Sequence, residues 1–366
     1  MGTNKIKVGV LFGGKSPEHM ISLLSARSVI DKLDRALYDC HLIGISSAGT
    51  WSYYGTEIRF VNEGNPTSVA LPDGGVEVLF GQSSGDHKLY DLQTGQSLVQ
   101  LDVLFPVLHG LHGEDGAVQG LAKLAGVPMV GCDTLGAAVC MDKEVTKRLL
   151  RDADVLVADF VTIRKGAVAP DYDSVAERLG AELYVKPVNL GSSVGVSFAD
   201  SPVAYERALT EAFQYDRKVV VEAKVVGREI ECAVLGNDEP KASVIGEVAP
   251  TSEFYTFDSK YVDKEDAQLS IPADISEVDA AAARKLAVRV FTLLECKGFA
   301  RVDMFLQADG QLIVNEVNTI PGFTSISMYP KLWESTGLPY KELLSRLIDL
   351  AMELHKDQSE LLHAVS

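Results

Sequence analysis

The chain has 366 residues, of which 46% are hydrophobic and 23% charged, values typical of a globular protein in water. This length predicts two or three domains rather than one small core. The formal net charge of −17 argues against nucleic acid as a partner, because binding a phosphate backbone requires a basic surface.

The cysteines and the apolar segments indicate the cellular location of the protein. Its five cysteines are scattered without metal-type spacing, and an odd number without a secretory signal predicts reduced thiols in a cytoplasm. Residues 1–7 are polar and lead directly into a strand, unlike a signal peptide. No apolar stretch approaches the ~20 residues of a membrane helix, so we expect no membrane partner.

The first third of the chain predicts alternating strands and helices. Residues 8–12 form a continuous apolar strand, glycines turn the chain, and a helix begins at Ser16 or Pro17 and ends near residue 33. Hairpins and loops are predicted between residues 50 and 100. Further strands are predicted at 41–45, 101–108 and 127–130. This pattern indicates a Rossmann-like parallel-sheet domain over residues 1–135.

The remaining two thirds predict two further lobes, at residues 136–222 and 223–366. The first has helices at 142–151 and 203–213 and strands at 160–163, 183–186, 194–198 and 219–222. The second is rich in strands and ends with a helix at 340–354. It also contains a helix whose apolar residues recur at spacings of four and three, namely Val278, Ala282, Leu286, Val290 and Leu293. Together the three lobes predict an α/β (α+β) fold with mixed sheets and packed helices.

The strongest functional signal is a hairpin with a polar face near the C-terminal end. Asp309-Gly310 is a strong turn signal between two alternating segments. A two-residue turn there would pair Asp303 with Glu316 and Arg301 with Asn318, with all four side chains on one face. Carboxylate and amide oxygens suit Mg²⁺, and the guanidinium could hold a phosphate or a developing negative charge. The alternative is a hairpin with one solvated face.

Residues 9–16 match the P-loop pattern G-x-x-x-x-G-K-S, but we expect this match to be accidental. Residues 10–12 have the composition of a buried strand, whereas a P-loop needs these positions in its phosphate-binding loop. Pro17 also offers no N–H to a phosphate. Two glycines between a strand and a helix instead let a ligand approach the helix N-terminus, where Glu18 lies.

A glycine-rich loop at residues 106–120 follows a predicted buried strand, which is where open α/β sheets place their ligands. It contains His109, His112, Glu114 and Asp115. The two histidines with two acids could suggest zinc, but no third ligand is evident. We expect both acids to be structural, turning the loop and capping the helix that follows.

Three segments in this order, residues 13–19, 106–120 and 301–325, resemble the D-alanine–D-alanine ligase family of ATP-grasp enzymes. The resemblance extends from about residue 5 to about residue 350. It implies a three-lobed ATP-grasp fold that uses ATP to join two D-alanines through an acyl phosphate, giving a peptidoglycan precursor. It also implies two Mg²⁺ ions, with Mn²⁺ as an alternative, and a homodimer in a bacterial cytoplasm.

The resemblance implies roles for residues around the substrates. In this family the position of Glu18 binds the ammonium group of the first D-alanine, that of Arg301 stabilises developing charge, and the N–H of Gly322 contributes to an oxyanion hole. Ser192 would connect Glu18 to Tyr261 and help to seal the cavity against water. Substrate contacts are also implied for His109, Ser327 and Met328.

The resemblance also implies a nucleotide site and a metal site. Lysines would contact the ATP phosphates, and backbone groups near the start of the third lobe would bind adenine. The implied nucleotide-binding residues are Lys143, Lys186, Ser193, Glu222, Ala223, Val225, Glu229, Phe254 and Lys260. The implied metal ligands are Asp303, Glu316 and Asn318.

Two positions depart from the family pattern, and several functions remain open. Met20 replaces a common second acid, and Leu190 replaces a common Glu or Gln. The alternatives are a ligase that uses D-lactate or D-serine, an ATP-grasp enzyme for other carboxylates, and a non-catalytic ATP-binding regulator. The pair Lys260-Tyr261 argues against D-lactate, because lactate-using relatives lack this tyrosine pattern.

Overall fold

The computed structural model describes residues 5–63, 65, 67–81, 85–250, 267–324 and 326–361. The residues in these ranges form three sheets, one in each predicted lobe. No helix in these ranges is both long and apolar enough to cross a membrane.

The N-terminal sheet has seven strands in the order β6-β5-β4-β3-β2-β1-β7. The β2-β1-β7 end of the sheet is parallel, as predicted. The strands from β3 to β6 are antiparallel and lie where hairpins were predicted, between residues 50 and 100. The predicted strand at 127–130 is a single bridge between Leu104 and Met129. The elements are β1 (Ile6–Gly13), α1 (His19–Lys32), β2 (Tyr38–Ile45), β3 (Trp51–Tyr53), β4 (Val76–Phe80), β5 (Lys88–Asp91), β6 (Ser97–Gln100), β7 (Val103–Val107) and α2 (Ala117–Ala125).

Strand β1 shows why the P-loop match is accidental. Val10, Leu11 and Phe12 are fully buried within the strand and pair with β2 and β7, so they cannot form a phosphate-binding loop. The chain then turns at Gly13, which has φ +89° and lies so close to β2 that a Cβ would be 2.1 Å from the Ile45 carbonyl oxygen. Only glycine fits there, and the turn directs the chain into α1.

The central sheet is antiparallel, in the order β10-β9-β11-β8. The predicted strand at 194–198 is shorter in the structure, because residues 192–195 form turns before it. Two helices of this region, α3 and α5, were not predicted. The elements are α3 (Thr134–Met141), α4 (Lys143–Asp152), β8 (Phe160–Arg164), α5 (Tyr172–Leu179), β9 (Leu183–Pro187), β10 (Ser197–Ala199), α6 (Pro202–Tyr215) and β11 (Lys218–Ala223).

The C-terminal sheet is also antiparallel, in the order β14-β13-β12-β15-β16. Strands β12, β15 and β16 carry the polar side chains of the candidate site. The elements are β12 (Arg228–Leu235), β13 (Lys241–Pro250), β14 (Ala267–Ser270), α7 (Glu277–Leu293), β15 (Phe299–Leu306), β16 (Leu312–Asn318), α8 (Met328–Ser335) and α9 (Tyr340–Ser359).

Helix α7 was predicted, but its buried face differs from the predicted apolar stripe. Val278 is 79% exposed and Leu293 is 37% exposed. The buried face consists of Ala280, Ala283, Ala287, Val290 and Phe291, of which Val290 alone belongs to the predicted stripe. Small alanine side chains allow the helix to lie close to the sheet, so packing overrides the pattern of larger apolar residues.

The N-terminal and C-terminal lobes share one apolar core. Phe105 of β7 makes an edge-to-face ring contact with Phe323, with centroids 6.2 Å apart, and Phe323 also contacts the Phe299 ring. The same core includes α1 and helices α8 and α9. This packing fixes the segment after β16 against the N-terminal sheet, and the candidate site lies beside that segment.

Candidate active site

The hairpin formed by β15 and β16 has the predicted pairing at its functional end. Asp303 faces Glu316, and Arg301 faces Asn318. The turn itself was predicted wrongly, because Leu306 pairs with Leu312 and leaves residues 307–311 as the loop. An extra residue in β16 shifts the register by one between these two regions. The bulge therefore compensates for the longer loop.

Two carboxylates hold the guanidinium of Arg301. Its Nε and Nη2 donate to the two carboxylate oxygens of Asp303 at 2.7 and 2.6 Å. Its Nε also lies 3.0 Å from Oε2 of Glu231 on β12. Sequence reasoning missed Glu231, although it lies two residues after Glu229 and so on the same face of the strand. Finding it required knowing that β12 lies beside β15.

Oxygen atoms suitable for a divalent cation lie around this pair. The Asn318 Oδ1 atom is buried and has no hydrogen-bond partner within the described part of the chain. Glu316 Oε2 lies 3.6 Å from Nζ of Lys143, which also donates to the Leu190 carbonyl at 2.6 Å. An unsatisfied buried amide oxygen next to carboxylates is a good ligand for Mg²⁺.

The protein ligands alone do not complete a metal site. In the described ranges, no three His, Cys, Asp or Glu side chains are arranged to hold a metal ion. Both oxygens of Asp303 already accept hydrogen bonds from Arg301, so metal binding there would have to share or displace that interaction. The residues fit a cation that takes its remaining ligands from a bound phosphate or water.

Glu18 lines the same cavity as Arg301. It directly precedes α1 and is buried, and its Oε1 accepts a hydrogen bond from the Ser192 hydroxyl. The loop after β7 also lies close, because a Cβ on Gly110 would be 2.7 Å from Glu18 Oε2. Ser192 and Ser193 have φ values of 49° and 59°, a left-handed conformation that costs energy for residues other than glycine. The fold thus holds a strained turn against Glu18.

Glu18, Ser192 and Arg301 line one cavity, which is called the main cavity here. His109, a predicted substrate contact, does not line it. Its Nδ1 lies 2.9 Å from the Ile320 carbonyl oxygen, and its Nε2 lies 3.1 Å from the Ser25 hydroxyl. Burial lowers the pKa of His109 and favours its neutral form. The ring therefore connects α1, the loop after β7 and the segment after β16.

Glu114 was predicted, together with Asp115, to be structural by turning the loop and capping α2, and it has the first of these roles only. Its two oxygens accept hydrogen bonds from Gly110 N at 2.8 Å and from Ile320 N at 2.9 Å. The capping is done by Asp115, which accepts from His112 N and Ala117 N. Burial raises the pKa of Glu114 to about 8, and the nearby Glu18 carboxylate adds to this shift.

A buried charge cluster lies on the central sheet. Glu222 of β11 accepts a hydrogen bond from Lys186 Nζ at 2.8 Å and lies 3.1 Å from Lys147 Nζ. Burial alone would raise the pKa of Glu222, but the two ammonium charges outweigh it and lower the pKa to about 2. Lys147, which sequence reasoning missed, is 1% exposed. Its position on α4, one turn after Lys143, was the available signal.

Part of the backbone that was predicted to bind adenine is already hydrogen-bonded to other backbone groups of the protein. The N–H of Ala223 donates to the Asp159 carbonyl at 2.9 Å, so this residue can offer a base only its carbonyl. Val225 and Glu229 are both partly exposed. The N–H of Lys224 donates to the Glu182 carbonyl, which fixes the chain between β11 and β12.

One cavity of about 480 Å³ brings many of the predicted residues together. It is lined by Glu18, Lys143, Ser192, Arg301, Glu316, Asn318, Gly322, Ser327 and Met328. The predicted site residues that the structure describes but that do not line this cavity are His109, Lys186, Ser193, Glu222, Ala223, Val225, Glu229 and Asp303. Phe254, Lys260 and Tyr261 lie outside the described residues.

Comparisons with protein-family models decide the family. A model described as D-ala D-ala ligase N-terminus matches residues 7–132, and one described as D-ala D-ala ligase C-terminus matches residues 149–349. The chain belongs to the D-alanine–D-alanine ligase family. The resemblance recognised in its motifs is therefore confirmed.

Relatives and solved structures support this membership over nearly the whole chain. D-alanine–D-alanine ligase A from Salmonella typhimurium is 47% identical over 352 residues, covering 96% of this chain and 97% of that protein. A D-alanine–D-alanine ligase from Proteus mirabilis is 46% identical over 354 residues, covering 96% and 97%.

The fold agrees with solved members of the family. The D-alanine–D-alanine ligase from Coxiella burnetii has a TM-score of 0.84 at 36% identity, covering 98% of this chain and 97% of that one. The VanG D-Ala:D-Ser ligase from Enterococcus faecalis has a TM-score of 0.81 at 34% identity, covering 95% and 100%. Because a D-serine ligase has such a similar fold, the fold alone does not identify the acceptor.

Proposed function

We propose that this chain is an ATP-dependent ligase that joins two D-alanines to form D-alanyl-D-alanine. The observation that carries the proposal is the cavity that Glu18 and Ser192 share with the Arg301 guanidinium and the oxygen ligands Glu316 and Asn318. ATP phosphorylates the carboxylate of the first D-alanine, the amine of the second attacks the resulting acyl phosphate, and phosphate leaves.

Glu18 and Ser192 bind and orient the first D-alanine. The Glu18 carboxylate attracts its ammonium group, and the Ser192 hydroxyl holds that carboxylate in place. Arg301, in the same cavity, stabilises negative charge as it develops on the reacting carboxyl group. The N–H of Gly322 supplies a further donor for the same oxygen.

The lysines and the metal ligands serve to neutralise the negative charge of the ATP phosphates. Lys143 and Lys186 bind phosphates, and Mg²⁺ held by Asp303, Glu316 and Asn318 would neutralise phosphate charge when bound. This assignment is supported by the unpartnered Asn318 oxygen and by the position of Lys143 near Glu316. Two ions are proposed on the strength of the family resemblance.

The acceptor and the setting of the reaction belong to the same proposal. We assign D-alanine as the acceptor, because the sequence has the Lys260-Tyr261 pair that lactate-using relatives lack. The five cysteines are free thiols, which is consistent with a bacterial cytoplasm. There the enzyme would act as a homodimer and supply a peptidoglycan precursor, and sedimentation analysis would test the dimer.

The function can be tested with a panel of acceptors. The protein is incubated with ATP, Mg²⁺ and D-alanine, alone or with D-serine or D-lactate, and phosphate and ligated product are quantified together. L-alanine serves as the control substrate. We expect D-alanyl-D-alanine as the main product, with poor use of D-lactate. Preferential D-serine or D-lactate coupling would overturn the acceptor assignment, and phosphate release without any ligated product would overturn the ligase assignment.

A further inference from the structure

Glu231 extends the acidic row of the candidate site across three strands. It pairs with Asp303 on β15, and Asp303 in turn pairs with Glu316 on β16. Glu231 lines the main cavity, and its side chain is 13% exposed. The family resemblance assigned no role to this residue.

The position of Glu231 gives Arg301 two acidic neighbours. Asp303 accepts two hydrogen bonds from the guanidinium, and the Glu231 Oε2 atom lies 3.0 Å from the Nε atom of Arg301. A guanidinium has five N–H donors in a rigid plane, so it can bind two carboxylates at once. The two acids approach it from neighbouring strands.

In the proposed reaction Asp303 has two competing roles, because it holds Arg301 and would also bind the metal. As a metal ligand it would give oxygen lone pairs to a dication, and its hold on Arg301 would weaken. The dication would also repel the guanidinium. A second carboxylate beside Arg301, outside the proposed metal ligands, would offset both effects.

We propose that Glu231 is a positioning residue that keeps Arg301 directed into the cavity while Asp303 binds the metal. This inference rests on the proposed ligase function. Glu231 contacts neither the metal nor the reacting atoms, and it acts through the orientation and charge of Arg301. Its removal therefore affects the rate of the reaction more than the binding of substrates.

The sheet offers a matched control for this interaction. Arg228 at the start of β12 donates two hydrogen bonds to Glu247 on β13, at 2.7 and 2.6 Å. Neither residue lines the main cavity. Glu247→Gln thus removes the same kind of charge from a Glu–Arg pair in the same sheet without altering the proposed machinery.

The experiment compares Glu231→Gln with Glu247→Gln in dipeptide formation. Because Glu231→Gln removes the carboxylate charge that lies 3.0 Å from the Arg301 Nε atom, we expect kcat to fall by about ten-fold to a hundred-fold. The KM for ATP and the KM for D-alanine should each change by less than about three-fold. The control variant, Glu247→Gln, should keep the wild-type kcat. Glu231→Asp, which retains the charge, should recover part of the loss and serves as the second variant if the first does not fold.

A double-mutant cycle and a metal titration separate the possible roles. In an Arg301→Lys background, Glu231→Gln should lower kcat by less than about a further three-fold, because both substitutions disrupt the same Glu231–Arg301 interaction. Mn²⁺ binding, followed by electron paramagnetic resonance, should differ from wild type by less than about two-fold in affinity. An additive cycle, or Mn²⁺ affinity weakened about ten-fold or more, would overturn the positioning role. A wild-type protein that forms no dipeptide would instead overturn the proposed function.

Discussion

Replacing Glu222 by Gln should destabilise the central lobe strongly. Glu222 is 3% exposed and contacts two ammonium groups, those of Lys147 and Lys186. The Gln variant would leave both lysines facing an uncharged amide, and Lys147 has almost no access to water. The expected cost is that of two uncompensated charges close to each other.

The size of the effect follows from the pKa of Glu222. The two lysines lower it to about 2 from an ordinary value of 4.5. A gap of this size corresponds to roughly 3 kcal/mol of stability, the lower end of the range for breaking a buried ion pair. Because the folded pKa is depressed, this stabilisation is fully present above pH 4.5 and is lost as the pH falls towards 2.

Lys147→Met provides an informative contrast. It removes one of two ammonium groups and leaves Glu222 paired with Lys186 at 2.8 Å, so the buried cluster becomes electrically neutral. We expect its stability to stay within about 1 kcal/mol of wild type, far closer than Glu222→Gln. The two substitutions therefore test charge balance rather than the mere presence of polar groups.

Urea unfolding at pH 7 measures these differences. Glu182→Gln is the control, because Glu182 pairs with Lys224 at 2.7 Å but is 54% exposed, and it should change stability by less than about 1 kcal/mol. As the pH is lowered from 4.5, the gap between wild type and Glu222→Gln should narrow. If Glu222→Gln is as stable as the control at pH 7, the charge-balance reasoning is refuted.

Four further substitutions test other parts of the site. Glu316→Gln should keep the fold but lose most turnover, and near wild-type activity at limiting Mg²⁺ would exclude Glu316 as a metal ligand. Lys15→Ala should leave ATP affinity within about three-fold of wild type, whereas Lys186→Ala should weaken it much more; the reverse order in a binding titration would restore the P-loop. Glu114→Gln should lower unfolding stability by about 1–3 kcal/mol, because Gln has one acceptor and a backbone N–H, such as that of Ile320, loses its partner. No change in the urea midpoint would argue against that bridge.

Local patterns predicted the site hairpin correctly in spite of an incorrect turn. The pairing of Asp303 with Glu316 depends on register, and β16 reached the predicted register through a bulge after a longer loop. Alternation along each strand limited which side chains could share a face. The bulge could not be predicted, because no residue type in β16 signals it.

The missed residues depend on contacts between distant segments. Glu231 matters because β12 lies next to β15, and Lys147 of α4 matters because it lies beside Glu222 of β11. Glu114 resembled a helix cap, yet its oxygens bond Gly110 and Ile320, the latter 206 residues away. Composition and periodicity describe single elements, so they could not predict which elements meet.

The route of an oxygen atom tests the central claim most directly. D-alanine labelled with ¹⁸O in its carboxylate is supplied with ATP, and the released phosphate and the dipeptide are analysed by mass spectrometry. An acyl phosphate transfers one carboxylate oxygen to phosphorus, and attack by the second amine releases it with the phosphate. We therefore predict one ¹⁸O atom in each phosphate, with one phosphate for each D-alanyl-D-alanine. Unlabelled phosphate, or label found in AMP, would contradict ligation through an acyl phosphate.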